Sequence, residues 1–263
     1  MYKLELQITD NITYITSKEL FKNDIYLAFT TRKKGLSSKP YDSLNLGFHV
    51  DDDPKTVAQN RILTSKALKY NAGDLTCSQQ VHGNKVKFVA QNEKGAGSLE
   101  YETSIAGVDG LATDVENLPM AMFFADCLPV VLIGLDPKIV AIVHAGYKGL
   151  LNNVIERMLK ITRQKIEPSK MLAFLGPAIG SCCYEVEAER INMFHANFPN
   201  IVRKNDKALD LKKIAIHQLE GCGVGLKNIF NADYCTSCNS ELFYSFRKEK
   251  VTGRQAAIAF IAG

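Results

Sequence analysis

No stretch of the chain approaches the roughly 18 to 20 consecutive apolar residues that a membrane span needs. Its most apolar region, residues 130–144, is broken by Gly134, Asp136, Pro137 and Lys138. No basic cluster stands out either. Lys and Arg are spread along the sequence and the net charge is only +4, which argues against nucleic acid as a partner. The amino terminus, Met1-Tyr-Lys-Leu-Glu-Leu6, alternates like a strand and lacks the basic-then-apolar layout of a secretory signal. A cytoplasmic protein with neither a membrane nor a nucleic-acid partner is therefore expected. Internal repeats, low-complexity tracts and proline-rich linkers are also missing, so a single domain over 1–263 is the expectation.

What the chain does have is an ordinary globular composition, 46% hydrophobic and 23% charged, and enough length to bury a large core. Strand patterns near 25–30, 75–79, 85–90, 121–125, 130–135, 139–143, 171–175, 244–246 and 256–261 interleave with helical ones near 53–68, 152–163, 187–197 and after Asp210. Asp53-Pro54 is a helix start, an N-cap acid with proline at the first helical position, and Gly221 and Gly223 mark the end of the last helix. The three runs between 121 and 143 are too uniformly apolar for a half-solvated sheet and belong to central strands covered on both faces. The expected fold class is α/β (mixed α+β), one layered domain with helices packed on a mixed β-sheet.

Residues 139–149 read as a strand, a site and a helix in succession, delivering His144 to the turn Ala145-Gly-Tyr-Lys-Gly149. Met122-Phe-Phe-Ala-Asp-Cys127 likewise brings a cysteine to the end of an apolar run, and Ser78-Gln-Gln-Val-His-Gly83 brings His82 to a turn. We expect His82, Cys127 and His144 to meet in space. Two imidazoles and one thiolate are a borderline-soft ligand set that suits zinc, and three protein ligands leave a fourth tetrahedral position open, as in catalytic sites. The separations, 45 residues and then 17, are too long for a compact motif, so the inference rests on placement at the ends of apolar runs. Other readings stand beside it. The three can be two loop histidines and a core cysteine with no common role. Cys127 with His82 or His144 can be a nucleophile and its base, and the same set can bind copper with Met120 or Met122 as axial partner.

Seven cysteines are an odd number, more in keeping with reduced thiols or ligands than with a disulfide framework. Cys235-Thr-Ser-Cys238 is a single Cys-x-x-Cys; a structural zinc there would need a second pair, for which Cys222 or the vicinal Cys182 and Cys183 are the candidates. A redox role would place the motif at a strand-to-helix junction, where a turn is expected instead. Arg61, in the middle of the first helix, is either a solvated face residue or an anion holder. Lys148, Arg247 and Arg254 are similar candidates for phosphate or a carboxylate.

Taken together, Ser43-Leu-Asn-Leu-Gly47 with His49, Asn60-Arg61, Gln80-Val-His-Gly83, Asp109-Gly110, Ala125-Asp-Cys-Leu-Pro129, His144 to Gly149, Leu175 to Gly180, Tyr184-Glu-Val186, Asp233 to Thr236, Ser245-Phe-Arg247 and Gly253-Arg254 resemble the laccase-domain, or "polyphenol oxidase", family. Its members are described as purine nucleoside phosphorylases with adenosine deaminase activity. The resemblance implies zinc on His82, Cys127 and His144, nucleoside or phosphate binding by Arg61, and purine nucleosides and phosphate as substrates, with methylthioadenosine among them. Asn45, His49 and Tyr147 are the further substrate contacts expected, and Asp126 is either an orienter of the ligands or a turn residue. The sequence departs from the family at Tyr147-Lys148, where Trp-Arg is usual, and at Lys248, where arginine is common; lysine lacks the planar fork used for bidentate contacts. Copper-dependent phenol oxidation, the family's older description, is disfavoured because five histidines cannot furnish several histidine-rich copper centres. Peptidoglycan-precursor hydrolysis and an inert zinc protein remain as alternatives. Neither His-x-Glu nor Pro-Cys-x-x-Cys occurs, so the chain is not a cytidine-deaminase relative.

Overall fold

The computed structural model describes residues 2–263; of the strand-like amino terminus, Met1 lies outside them. In chain order the strands are β1 (Glu5–Ile8), β2 (Thr13–Thr16), β3 (Ile25–Thr30), β4 (Thr76–Cys77), β5 (Lys87–Phe88), β6 (Gly110–Thr113), β7 (Met120–Phe124), β8 (Leu128–Leu135), β9 (Lys138–Ala145), β10 (Leu172–Leu175), β11 (Ile229–Asn231) and β12 (Gln255–Ile261). The helices are α1 (Pro54–Leu68), α2 (Tyr147–Leu151), α3 (Val154–Thr162), α4 (Ala188–Asn197), α5 (Leu211–Gly221) and the short α6 (Phe246–Glu249).

The strands form two six-stranded mixed sheets rather than the one sheet expected, ordered β1-β2-β3-β12-β7-β4 and β11-β10-β8-β9-β6-β5. Sequence cannot separate these cases, because strands buried on both faces read the same whether a helix or a second sheet covers them. Here both kinds of cover are present. Val131, Ile133, Val140 and Ile142 of β8 and β9 point at the first sheet and pack with Leu27, Phe29, Met122 and Phe124. The alternate residues Val130, Leu132, Ala141 and Val143 face outward, onto Val154, Ile155 and Met158 of α3 and Ile214 and Leu219 of α5. The outer face of the first sheet, with Ala28, Ile258 and Phe260, is covered by the loop residues Leu44 and Leu46 and the end of α1.

Local chemistry sets the element boundaries. The Asp53 carboxylate accepts from the backbone N–H groups of Lys55 and Thr56, capping α1 as its sequence implies. The helical pattern at 152–163 forms as α3, and Asn153, at φ +56°, separates it from the short α2 that precedes it. The strand expected at 244–246 does not form. The side-chain amide of Gln255 takes its place: Tyr244 N donates to Gln255 Oε1 (2.7 Å), Gln255 Nε2 donates to Tyr244 O (3.2 Å), and Ser245 then caps α6. The Asp109-Gly110 step is a turn signal in sequence, yet Gly110–Thr113 is the strand β6. Because Tyr244 is fully buried, Gln255→Leu strands two backbone groups away from water. Each such group costs about 1–3 kcal/mol, and urea unfolding of that variant is expected to show a loss of roughly 2–4 kcal/mol.

Candidate metal centre

The three expected ligands come from three connections at one end of the sandwich. His82 lies on the loop that leaves β4 in the first sheet for β5 in the second. Cys127 begins the return into β8, directly after the chain has crossed from β7 in the first sheet, and His144 closes β9 opposite Pro129. Their donor atoms all lie within 4.8 Å of one another. The rings of His82 and His144 are 4.7 Å apart, 80° between planes. His144 is buried, Cys127 half-buried and His82 exposed, so the group has a closed floor and an open side.

One residue organises both histidines. Asp109 is fully buried. Its Oδ1 sits 2.8 Å from His144 Nδ1 and accepts from His82 N at 2.9 Å, while Oδ2 accepts from Gly83 N at 2.7 Å and Val81 N at 3.2 Å. Its carbonyl accepts from His144 N at 2.8 Å. The Nδ1 contact turns the other ring nitrogen, Nε2, toward Cys127, the arrangement by which a carboxylate fixes a metal-binding imidazole. The backbone contacts hold His82 at φ +58°, a left-handed conformation that a residue other than glycine keeps only when its surroundings impose it. Burial raises the Asp109 carboxyl, but His144 and the N–H donors outweigh it and hold the pKa below the usual range.

A second left-handed residue, Asp126 at φ +91°, turns the chain between the sheets. Thr236 Oγ1 donates to its Oδ1 and Arg247 N to its Oδ2, both at 2.6 Å, and Ile179 N donates to its carbonyl at 2.9 Å. Asp126 thus orients Cys127 through the backbone and not by touching an imidazole. Burial pushes the Cys127 thiol up, yet His144 and His82 bring it down to about 6. Burial pushes His144 down, while Cys127 and Asp109 raise it to about 9. Cys127 is thus favoured as the thiolate donor, and a bound cation would displace the proton that His144 holds without it.

The other expected contacts divide. His49 has an exposed edge near Tyr101 and Phe123, with ring centroids at 6.3 and 6.2 Å, and its imidazole is held neutral by the protein packed round it and next by Arg254 and Arg61. Tyr147 is half-buried at the start of α2, and Arg190 lies over its ring at 4.1 Å. Asn45 is not available to a sugar: its amide bonds Gly47 O and Asp52, and its oxygen accepts from Gly47 N and Arg254 N. Arg61 is no solvated face residue. It is 2% exposed, between the rings of Phe48 and Phe123, with Nε on Leu46 O (2.9 Å) and Nη1 on Gly97 O (2.6 Å) and Ser98 O (2.8 Å). Met120 and Met122, the conceivable axial ligands for copper, are buried in the core between the sheets. Sequence reading overlooked Gln80, whose amide pairs with both backbone groups of Phe123 (2.9 and 2.7 Å) and pins the His82 loop to β7. Nor does the sequence give Asp109 a role beyond the Asp109-Gly110 step; a buried acid's partners are set by folding and leave no spacing to read.

The chain belongs to the family described as multi-copper polyphenol oxidoreductase laccase, whose family model matches residues 26–262. Among its relatives, a purine nucleoside phosphorylase of Geobacillus stearothermophilus, YlmD, is 34% identical over 238 residues, 87% of each chain. A purine nucleoside phosphorylase of Corynebacterium glutamicum is 32% identical, covering 89% of this chain and 93% of its own. The crystal structure of YlmD from Geobacillus stearothermophilus superimposes with a TM-score of 0.91 at 30% identity, over 98% of this chain and 99% of that one. A Neisseria meningitidis protein of known structure gives 0.78 at 29% identity, over 91% and 95%.

Asp109→Asn keeps the shape of the acid but replaces an acceptor with an amide donor facing N–H groups. A metal titration of that variant is expected to show affinity reduced about 10–100-fold. Gly146→Ala tests the space around the thiolate: a Cβ there would lie 3.0 Å from Cys127 Sγ and 3.6 Å from His82 Cδ2. Weaker metal binding with an unchanged circular dichroism spectrum is the expected result.

Proposed function

We propose that this chain, as one domain over 1–263, is a zinc-dependent purine nucleoside phosphorylase, converting nucleoside and phosphate to base and ribose 1-phosphate, and that it also deaminates adenosine. Phosphorolysis of methylthioadenosine is a related activity of the same site. The observation that carries this reading is the convergence of His82, Cys127 and His144 on one point beside Asp109, in a chain 34% identical to a named purine nucleoside phosphorylase. Zinc fits better than copper, because the donor set is borderline-soft and neither Met120 nor Met122 leaves the core to act as an axial ligand. When bound, zinc supplies a Lewis acid with an open fourth position.

In this reading the chain's own residues bind and orient. His49, neutral and exposed at one edge, hydrogen-bonds the sugar, and Tyr147 provides an aromatic wall for the base. Arg254, anchored by Nη1 on the carbonyls of Thr252 and Gly253 and with Cys127 and Asp126 in its electrostatic surroundings, holds phosphate beneath C1′ through Nε and Nη2. There a phosphate oxygen bonds to carbon as the C1′–N9 bond breaks and its electron pair leaves with the base, and a fixed guanidinium stabilises the phosphate throughout. Arg61, with Nε and Nη1 spent on carbonyls, is a positioning residue that fixes the Leu46–His49 segment. Seven free cysteines fit a reducing, cytoplasmic setting.

Mass spectrometry of adenosine incubated with zinc-loaded protein, with and without phosphate, tests the proposal. Adenine and ribose 1-phosphate are expected only with phosphate, inosine in both cases, and neither product with Cys127→Ala. Stoichiometric zinc with no nucleoside turnover would refute it.

A further inference from the structure

Four of the seven cysteines lie away from Cys127 and close to one another. Strands β10 and β11 run parallel as neighbours, with Ala173 beside Ile229 and Leu175 beside Asn231. Parallel neighbours release their chains at the same end, so the loops that follow them lie side by side. They stay paired beyond the sheet: Ala178 N donates to Tyr234 O at 3.3 Å, and Thr236 N to Ala178 O at 3.0 Å. The first loop then presents the vicinal Cys182 and Cys183, and the second presents Cys235 and Cys238 of the Cys-x-x-Cys motif.

All four sulfurs lie within 4.8 Å of one another. Cys238 Sγ is 3.5 Å from Cys182 Sγ and 3.4 Å from Cys183 Sγ. A tetrahedral zinc with Zn–S bonds of about 2.3 Å sets its sulfurs about 3.8 Å apart, a spacing that falls among these distances. A disulfide needs about 2.05 Å between one chosen pair, whereas Cys238 is equally near two partners and bonded to neither. The surroundings also fit thiolates. Gly180 N donates to Cys235 Sγ at 3.2 Å. Arg247 Nη1 binds the carbonyls of Cys183 (3.3 Å) and Glu185 (2.8 Å), and Lys248 Nζ binds Ser237 O (3.3 Å), which puts two cations beside a centre that would carry net negative charge. Gly180 forms part of the cradle: a Cβ there would stand 3.2 Å from Cys182 Sγ and 3.6 Å from Cys235 Sγ.

We propose that Cys182, Cys183, Cys235 and Cys238 bind a second zinc ion, a closed four-thiolate structural site separate from the His82–Cys127–His144 centre. Its work is to clamp the two loops. Both of them hold Asp126, through Ile179 N on its carbonyl and Thr236 Oγ1 on its carboxylate, so the clamp braces the turn that sets Cys127. This proposal is independent of nucleoside chemistry and stands if no nucleoside is turned over.

The test uses the full chain, stripped of metal under reducing conditions and titrated with zinc and, separately, with cobalt(II). Wild type is expected to bind two equivalents and Cys127→Ala one. The cobalt in that variant should show the intense sulfur-to-metal charge-transfer absorption of four thiolates. Cys235→Ser with Cys238→Ser should leave one equivalent with the weaker charge-transfer band of a single thiolate. Should that double variant not fold, Cys127→Ala remains decisive because its four-cysteine cluster is intact. Gly180→Ala adds a variant with every ligand in place, expected to bind the second equivalent at least tenfold more weakly. A folded Cys127→Ala protein that binds no metal would overturn the proposal. So would recovery of Cys182, Cys183, Cys235 and Cys238 as disulfides after alkylation of the freshly purified protein, or iron in place of zinc in that variant as isolated.

Discussion

The carboxylate of Asp109 is the constraint on which the candidate centre depends. It is fully buried, where an unpaired charge would be costly, and it accepts from three consecutive backbone N–H groups while pairing with the His144 ring. Each partner needs it in turn. The N–H groups of Val81, His82 and Gly83 converge on one point because His82 takes a left-handed turn, and that turn is held only while the carboxylate is there to receive them. One side chain therefore fixes the direction of one imidazole and the backbone of the other. Without it the loop histidine His82 and the strand histidine His144 would have no common target.

The location of the centre follows from the double-sheet architecture. Cys127 sits where the chain leaves the first sheet for the second, His82 on another such crossing, and His144 at the end of a central strand of the second sheet. Crossings between sheets are where the ladder must stop, so backbone and side-chain groups there find partners outside regular pairing. Asp126 and Gln80 meet that need. Asp126 takes an O–H donor from the Thr236 loop and an N–H donor from α6, and Gln80 supplies through its side chain the two bonds that a neighbouring strand would have made to Phe123. The rigid apolar strands fix where the crossings occur, and these polar residues fix how they turn.

The same division explains what was legible in the sequence. The central strands β7, β8 and β9, the Asp53 cap and the meeting of His82, Cys127 and His144 could be read, because each depends on a local pattern: apolar runs, a cap acid before proline, reactive side chains at the ends of runs. The second sheet could not, since Val131 and Val130 look alike whether they face a strand or a helix. The roles of Asp109 and Gln80 were hidden for a related reason. Their partners are 26 to 43 residues away in the chain, and no spacing rule connects them before folding. For Asn45 and Arg61 the surroundings were equally hidden: polar residues near a recognisable motif suggest ligand contact, whereas both are buried, Arg61 bonding the carbonyls of Leu46, Gly97 and Ser98 and Asn45 bonding Gly47, Asp52 and Arg254.

Those two residues also bear on how far substitutions near the site disturb it. Arg61 and Asn45 spend their donors on carbonyls and loop groups, so they hold the segment that carries His49 without bonding His82, Cys127 or His144. Lysine stands at 148 and 248 where arginine is usual, and neither position needs the planar fork that arginine provides. Lys148 is exposed, and its ammonium is 6.0 Å from the Tyr147 ring. Lys248 meets a single carbonyl, that of Ser237, for which one ammonium donor suffices. Where arginine is retained, one guanidinium nitrogen serves two carbonyls: Arg247 Nη1 binds those of Cys183 and Glu185, and Arg254 Nη1 those of Thr252 and Gly253. The two lysine departures from the family pattern therefore fall on solvent and on one loop carbonyl, and the Asp109-centred core of the site is untouched by them.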